Sequence, residues 1–249
     1  MSEVTLHGHE IMNWKRHTLI DVSDTGREAI LAELAGRGVK DIMLRERLGR
    51  VLLPDEAGVR VPGIVRREDG APRAGCLPVG FTEPISGEEN RLRIAAFARF
   101  EDVVRVTSPY EITSMPIPRR TACTEALSVA KSQAGSLNLH IGVWGSTAME
   151  LYTGLPCTRE DSDLDLLVAA APQESLYWFM VEMRGLEERF GLRIDVEVDL
   201  PNGYGVQLKE FLGQGRTVLG KSVTDVALLP REQMVAELPH DSLLATGAL

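Results

Sequence analysis

The class of fold follows from one run, Ser162-Asp163-Leu164-Asp165-Leu166-Leu167-Val168. The apolar run makes a buried strand, and successive side chains of a strand point to opposite faces. Asp163 and Asp165 therefore project together, while Leu164 and Leu166 enter a core. Two like charges this close repel unless a cation or a proton lies between them. Working outward, residues 139–144 read as a strand and 146–152 as a short helix, with Gly145-Ser146 at the turn. Downstream, 173–190 is an amphipathic helix ended by Gly191, and 192–200 is a third strand. Strands alternating with helices imply a sheet with helices packed on it, an α/β class.

The third strand carries Arg193-Ile194-Asp195-Val196-Glu197-Val198-Asp199, so Asp195, Glu197 and Asp199 share one face. That face is either the solvent side of an edge strand or, beside Asp163 and Asp165, the source of a third carboxylate. Hard carboxylate oxygens on one face suit Mg²⁺, which keeps waters and bridges to substrate phosphates. Two such ions would clamp the attacking and leaving oxygens of an in-line displacement. Gly145 permits a tight turn close to a ligand, and the helix it opens offers unpaired N–H groups to phosphate.

The front of the chain is organised differently. From about residue 13 to 84 it reads as a small α/β or β-rich unit. A helix is expected over 27–35, with Thr25 and Glu28 at capping-box spacing and Gly36 and Gly38 closing it. Extended pieces follow at 59–67 and 77–82. A polar, turn-rich linker at 84–90 then separates an accessory domain, 1–84, from a catalytic domain, 91–249. In the latter, 91–100 alternates as a strand, Pro109, Pro116 and Pro118 break the next stretch, and Thr121 caps a helix to 134 closed by Gly135.

Bulk composition narrows the function classes. A net charge of −9 argues against indiscriminate nucleic-acid binding but permits a local basic pocket. The apolar runs fall far short of the ~20 residues that span a bilayer. The first residues lack a secretory signal, so a cytoplasmic protein without membrane association is expected. Cys76, Cys123 and Cys157 are widely spaced and read as reduced thiols. Likewise His7, His9, His17, His140 and His240 show no ligand spacing.

Taken together, the Gly-Ser turn, the Asp-x-Asp strand and a later strand carboxylate resemble the nucleotidyltransferase superfamily. This implies a mixed sheet with flanking helices. Here 16 residues separate Ser146 from Asp163, longer than that superfamily's usual spacing. Trp144-Gly145-Ser146, Leu151-Tyr152-Thr153-Gly154-Leu155-Pro156 and Ser162 to Leu167 are similar to one family in particular. It is the phosphoribosyl-dephospho-CoA transferase of malonate decarboxylase, also called its holo-acyl-carrier-protein synthase. Further likeness lies in Arg193-Ile194-Asp195, Pro201-Asn202-Gly203, Lys209-Glu210 and Val218-Leu219-Gly220-Lys221. Fainter echoes occur at Arg16-His17, Val65-Arg66-Arg67 and Leu77-Pro78-Val79-Gly80. Cys157 stands where the resemblance leads one to expect an aromatic residue, and Val196 where it leads one to expect Gly.

The resemblance implies a donor, triphosphoribosyl-dephospho-CoA, and an acceptor, a serine of the apo acyl carrier subunit of malonate decarboxylase. It also implies one or two Mg²⁺ ions on Asp163, Asp165 and Asp195. Asp195, or else Glu197, would accept the hydroxyl proton, and Gly145 and Ser146 would cradle phosphate. Arginines bind phosphate in a planar fork, so Arg66, Arg67, Arg91, Arg93, Arg119 and Arg120 are candidates, as is Lys221. Trp144 and Tyr152 are candidate adenine platforms. The alternatives are the citrate lyase counterpart, AMP transfer to another acceptor, or an inactive binding protein on this scaffold. Against the last, a mere scaffold needs no cluster of repelling carboxylates.

Overall fold

The computed structural model describes residues 14–36, 41–68, 71, 73–84 and 91–239. The chain begins with β1 (Leu19–Val22), helices α1 (Asp24–Gly36) and α2 (Ile42–Leu52), then β2 (Gly63–Val65), β3 (Cys76–Thr82), β4 (Arg93–Arg99) and β5 (Val103–Thr107). These strands make an antiparallel sheet in the order β4-β3-β2-β1-β5. Alternation sends Leu77, Val79 and Phe81 of β3 and Ile94, Ala96 and Ala98 of β4 to one face. There they join Ile30 of α1 and Leu48, Val51 and Leu52 of α2 in a buried core.

Three expectations change in this region. Ser23 caps α1, its Oγ accepting the Gly26 N–H at 3.1 Å, so the helix starts ahead of Thr25. It runs through Gly36, and Gly38 lies outside the described residues. Helix α2 was not anticipated, although Asp41 is a ready cap, accepting from the Met43 and Leu44 N–H groups. Finally, β3 and β4 pair from Cys76↔Arg99 to Thr82↔Arg93, across the position of the expected 84–90 linker. Seven residues of ladder bind those strands into one sheet, so the two sheets part after Thr107, not at 84–91. Residues 85–90 lie outside the described residues, as do His7, His9 and His240.

Past β5 come α3 (Pro109–Thr113), α4 (Ala122–Ser136), β6 (Ile141–Trp144), α5 (Gly145–Thr153), β7 (Leu164–Ala169), α6 (Gln173–Phe190) and β8 (Ile194–Asp199). The chain continues through β9 (Gly205–Gln207), α7 (Leu208–Phe211), β10 (Thr217–Lys221), β11 (Val226–Pro230) and α8 (Arg231–Ala236). Pro109 does not simply break the chain. It opens α3, where its missing N–H costs nothing, behind a Ser108–Glu111 capping box. Helix α4 passes Gly135 and ends at Ser136, followed by Asn138 at φ 53°.

The second sheet has the order β11-β10-β9-β8-β7-β6. It is mixed: β7 and β8 run parallel, joined by the α6 crossover, and every other pair is antiparallel. Leu164, Leu166 and Val168 of β7 and Ile194, Val196 and Val198 of β8 pack against Leu176 and Phe179 of α6 and Leu127 and Ala130 of α4. Two sheets, each with its own helices, make an α+β architecture with a mixed-sheet second unit, as the resemblance implied. No helix among the described residues is long and apolar enough to cross a membrane.

Candidate active site

Asp165 is the second residue of β7, between a residue of β6 and one of β8. Its register partners are Trp144 on one side and Asp195 on the other. The flanking leucines are buried and anchor the strand, which leaves Asp165 half-buried on the opposite face. Directly after β6, Gly145 takes φ 68°, and a Cβ there would sit 2.2 Å from Asp165 Oδ2. Only glycine lets the carboxylate lie this close to the start of α5. Burial raises the Asp165 pKa to about 7, and the negative charges of Asp195, Asp163 and Glu197 add to the effect.

These residues open onto a cavity of about 960 Å³ between the two sheets. Asp163, Asp165, Gly145, Ser146 and Trp144 line one wall, and Arg66, Arg67, Arg91 and Arg93 come from the first sheet and its margins. Arg16, Arg159 and Lys221 add further positive charge. Seven cations face three acids, so an acidic protein holds a basic cavity. Even Glu83 is neutralised from behind: it is buried and ion-paired with Arg47 and Arg50 of α2.

The carboxylates of β8 divide their work. Asp195 is paired with Arg193 at 2.7 Å and does not line the cavity. Glu197 is buried and accepts from Arg16 Nη1 at 3.1 Å and from His17 Nε2 at 3.2 Å. Burial alone would raise its pKa, but the His17 hydrogen bond, together with the charges of His17 and Arg16, holds it at about 2. Burial in turn lowers the His17 pKa. His17 adopts φ 68° and lies against Trp144, with ring centroids 3.8 Å apart. Asp199 accepts from Lys15 and from the Tyr110 hydroxyl. The Glu197–Asp199 part of the acidic face of β8 is thus a docking strip for residues 15–17 and Tyr110, not a solvent face.

Among the described residues no three His, Cys, Asp or Glu side chains converge to hold one metal ion. The expected Asp163–Asp165–Asp195 ligand set is therefore not assembled, because Asp195 stays with Arg193. Asp163 and Asp165 alone still fit a hard cation: both line the cavity, and Asp165 is a half-buried carboxylate among like charges.

Three other candidates leave the site. Arg120 braces the loop between α5 and β7 by binding Glu150 and the Thr158 carbonyl. Glu150 also accepts the Cys157 and Thr158 N–H groups. Burial would raise the Glu150 pKa, but Arg120 and Thr158 outweigh it and hold it at about 2. Arg119 does not line the cavity. Tyr152 donates to Asp21 at 2.6 Å rather than lining the cavity, whereas Trp144 does line it. Cys157 lines the cavity as a buried thiol whose pKa burial pushes to about 11. Arg16, His17 and Arg159 were not singled out beforehand. For the first two, the Arg-His pair ahead of β1 was the only sequence signal.

A mixed sheet with a Gly-Ser turn, a strand Asp-x-Asp and a basic cavity defines a nucleotidyltransferase-type transferase. Comparison with known families sharpens this. The profile for the phosphoribosyl-dephospho-CoA transferase MdcG N-terminal domain matches residues 15–109, and that for its C-terminal domain matches residues 112–232. The chain belongs to this phosphoribosyl-dephospho-CoA transferase family. A phosphoribosyl-dephospho-CoA transferase of Xanthomonas axonopodis pv. citri is 33% identical over 171 residues, covering 69% of this chain and 79% of the relative. One from Klebsiella pneumoniae is 30% identical over 65% of this chain and 77% of its own. One from Bradyrhizobium diazoefficiens is 25% identical over 89% of this chain and 92% of its own. No solved structure matches.

Proposed function

We propose that this transferase moves the 2′-(5″-triphosphoribosyl)-3′-dephospho-CoA group onto a serine hydroxyl of the apo acyl carrier subunit of malonate decarboxylase. The observation that carries this reading is the Asp165 carboxylate, held among like charges against the Gly145 turn in an arginine-rich cavity. The serine oxygen attacks the phosphorus nearest the ribose, the bond to the next bridging oxygen breaks, and diphosphate leaves. The products are a phosphodiester and one proton. Such a reaction asks mainly for positioning and charge neutralisation. Asp163 and Asp165 would hold Mg²⁺, which when bound neutralises charge on the transferring phosphate and its leaving group.

The chain's own residues supply the rest. Ser146 and the first N–H groups of α5 meet phosphate oxygens, with Lys221 and Arg67 as charge partners. The serine proton passes to the Asp163–Asp165 pair, since Asp195 stays with Arg193 outside the cavity lining. Glu197 is the wrong base: at a pKa of about 2 and bound by Arg16 and His17, it has no appetite for a proton. Its role is to place Arg16 on the cavity wall.

The test is mass spectrometry of purified apo carrier after incubation with donor, Mg²⁺ and this chain. The expected result is the mass of one phosphoribosyl-dephospho-CoA group on serine, with one diphosphate per carrier. Equal modification with ATP as donor, or modification of the citrate lyase carrier in preference, would overturn the assignment.

A further inference from the structure

The cavity is larger and more basic than one reacting triphosphate requires, and its cations come from two different sheets. Arg66 follows β2, and its Cδ lies 3.7 Å from where a Cβ on Gly80 would be, so the side chain crosses β3 where that strand has none. Arg93 opens β4 directly opposite Thr82 of β3. Both lie on the face of the first sheet opposite its own helical core. Next to them Arg91 donates to the Cys157 carbonyl at 2.6 Å, which ties this edge to the loop ahead of Asp163. Arg93 is exposed and forms no hydrogen bond or ion pair with a described residue. Among the described residues the only acid on this wall, Glu83, is already spent on Arg47 and Arg50.

We propose that Arg66, Arg93 and Thr82 form a second anion subsite, distinct from the Asp163–Asp165–Ser146 end, for the non-reacting diphosphate of the donor's dephospho-CoA portion. The first sheet thereby selects donors with a second phosphate group remote from the reacting one, and nucleoside triphosphates, lacking it, engage only one end. Two planar guanidiniums flanking a hydroxyl match the oxygens of a diphosphate. This inference rests on the reading of the cavity as the nucleotide-transfer site.

The experiment is calorimetric titration of the full chain with two separate probes, dephospho-CoA and inorganic tripolyphosphate. Dephospho-CoA should bind, and still bind within a few-fold when tripolyphosphate is saturating. Arg93→Gln and Arg66→Gln should each weaken dephospho-CoA about tenfold, the loss of one charge-assisted contact, and leave tripolyphosphate within about twofold. Mutually exclusive binding on the unmodified chain, equal loss for both probes, or no binding of dephospho-CoA would overturn the subsite. Carrier modification is scored separately. Transfer without a dephospho-CoA subsite sinks only this inference, whereas dephospho-CoA binding without transfer sinks only the reading of the reaction.

Discussion

At the scale of single residues, Asp165 and Gly145 form one unit. The carboxylate lies where any side chain on residue 145 would stand, and φ 68° adds a backbone reason for glycine. Gly145→Ala should cost roughly 1–3 kcal/mol of stability and most of the transfer activity. Part of the lost stability should return in the double variant with Asp165→Ala, read by thermal melts of all four forms. Asp163→Ala and Asp165→Ala should each slow transfer about a hundredfold or more. The Asp165→Ala melt should hold steady or rise, since a repelled carboxylate has gone. A collapsed melt would make the pair structural instead. The pair was legible from alternation along a single strand. The role of Glu197 was not, because its partners Arg16 and His17 lie about 180 residues upstream.

Among elements, the loop between α5 and β7 accounts for the unusual spacing of the motif. Glu150 gathers Arg120, the Thr158 hydroxyl and two backbone N–H groups, so the long loop is pinned rather than loose. Glu150→Gln should lower stability by about 2 kcal/mol, which for a chain of this size is about 4–8 °C in Tm. The pH dependence has a definite sign. The folded-state pKa, about 2, lies below the ordinary 4.5. The stabilisation is therefore complete above the ordinary value and fades as pH falls through it toward 2. Melts of wild type and variant should converge on acidification; a gap constant in pH would show that the charge is not what stabilises. The positions of α5, β7 and α6 were legible because each has one apolar face. Helix α2 and strands β9 to β11 were missed, because elements this short carry too little periodicity and take their faces from distant partners.

For the molecule as a whole, the question is what holds two sheets around one cavity. Lys15, Arg16 and His17 dock on Glu197 and Asp199 of β8, while Tyr152 of α5 reaches back to Asp21 of β1. Glu197→Ala should destabilise by about 3 kcal/mol, since it strands a guanidinium and a buried imidazole. It should also raise the donor KM more than it lowers kcat, because Arg16 loses its anchor on the cavity wall. Steady-state kinetics beside a melt would check this; an unchanged KM in a folded variant would refute the anchoring role. The boundary between the sheets shows the same dependence on distance. The polar stretch near residue 84 looked like a linker, yet β3 and β4 pair across it.

Local matters are written in the order of residues: which of them alternate along β7 and β8, where glycine must turn the chain, and which family the motifs resemble. Periodicity and turn chemistry act between neighbours a few residues apart, so they can be read from the chain. The folded arrangement alone reveals that Asp195 stays with Arg193, that Glu197 anchors the chain's front, and that the first sheet supplies the arginine wall. Those outcomes depend on which charges meet after long stretches of chain are brought together. A carboxylate's role is set by the partner it finds there.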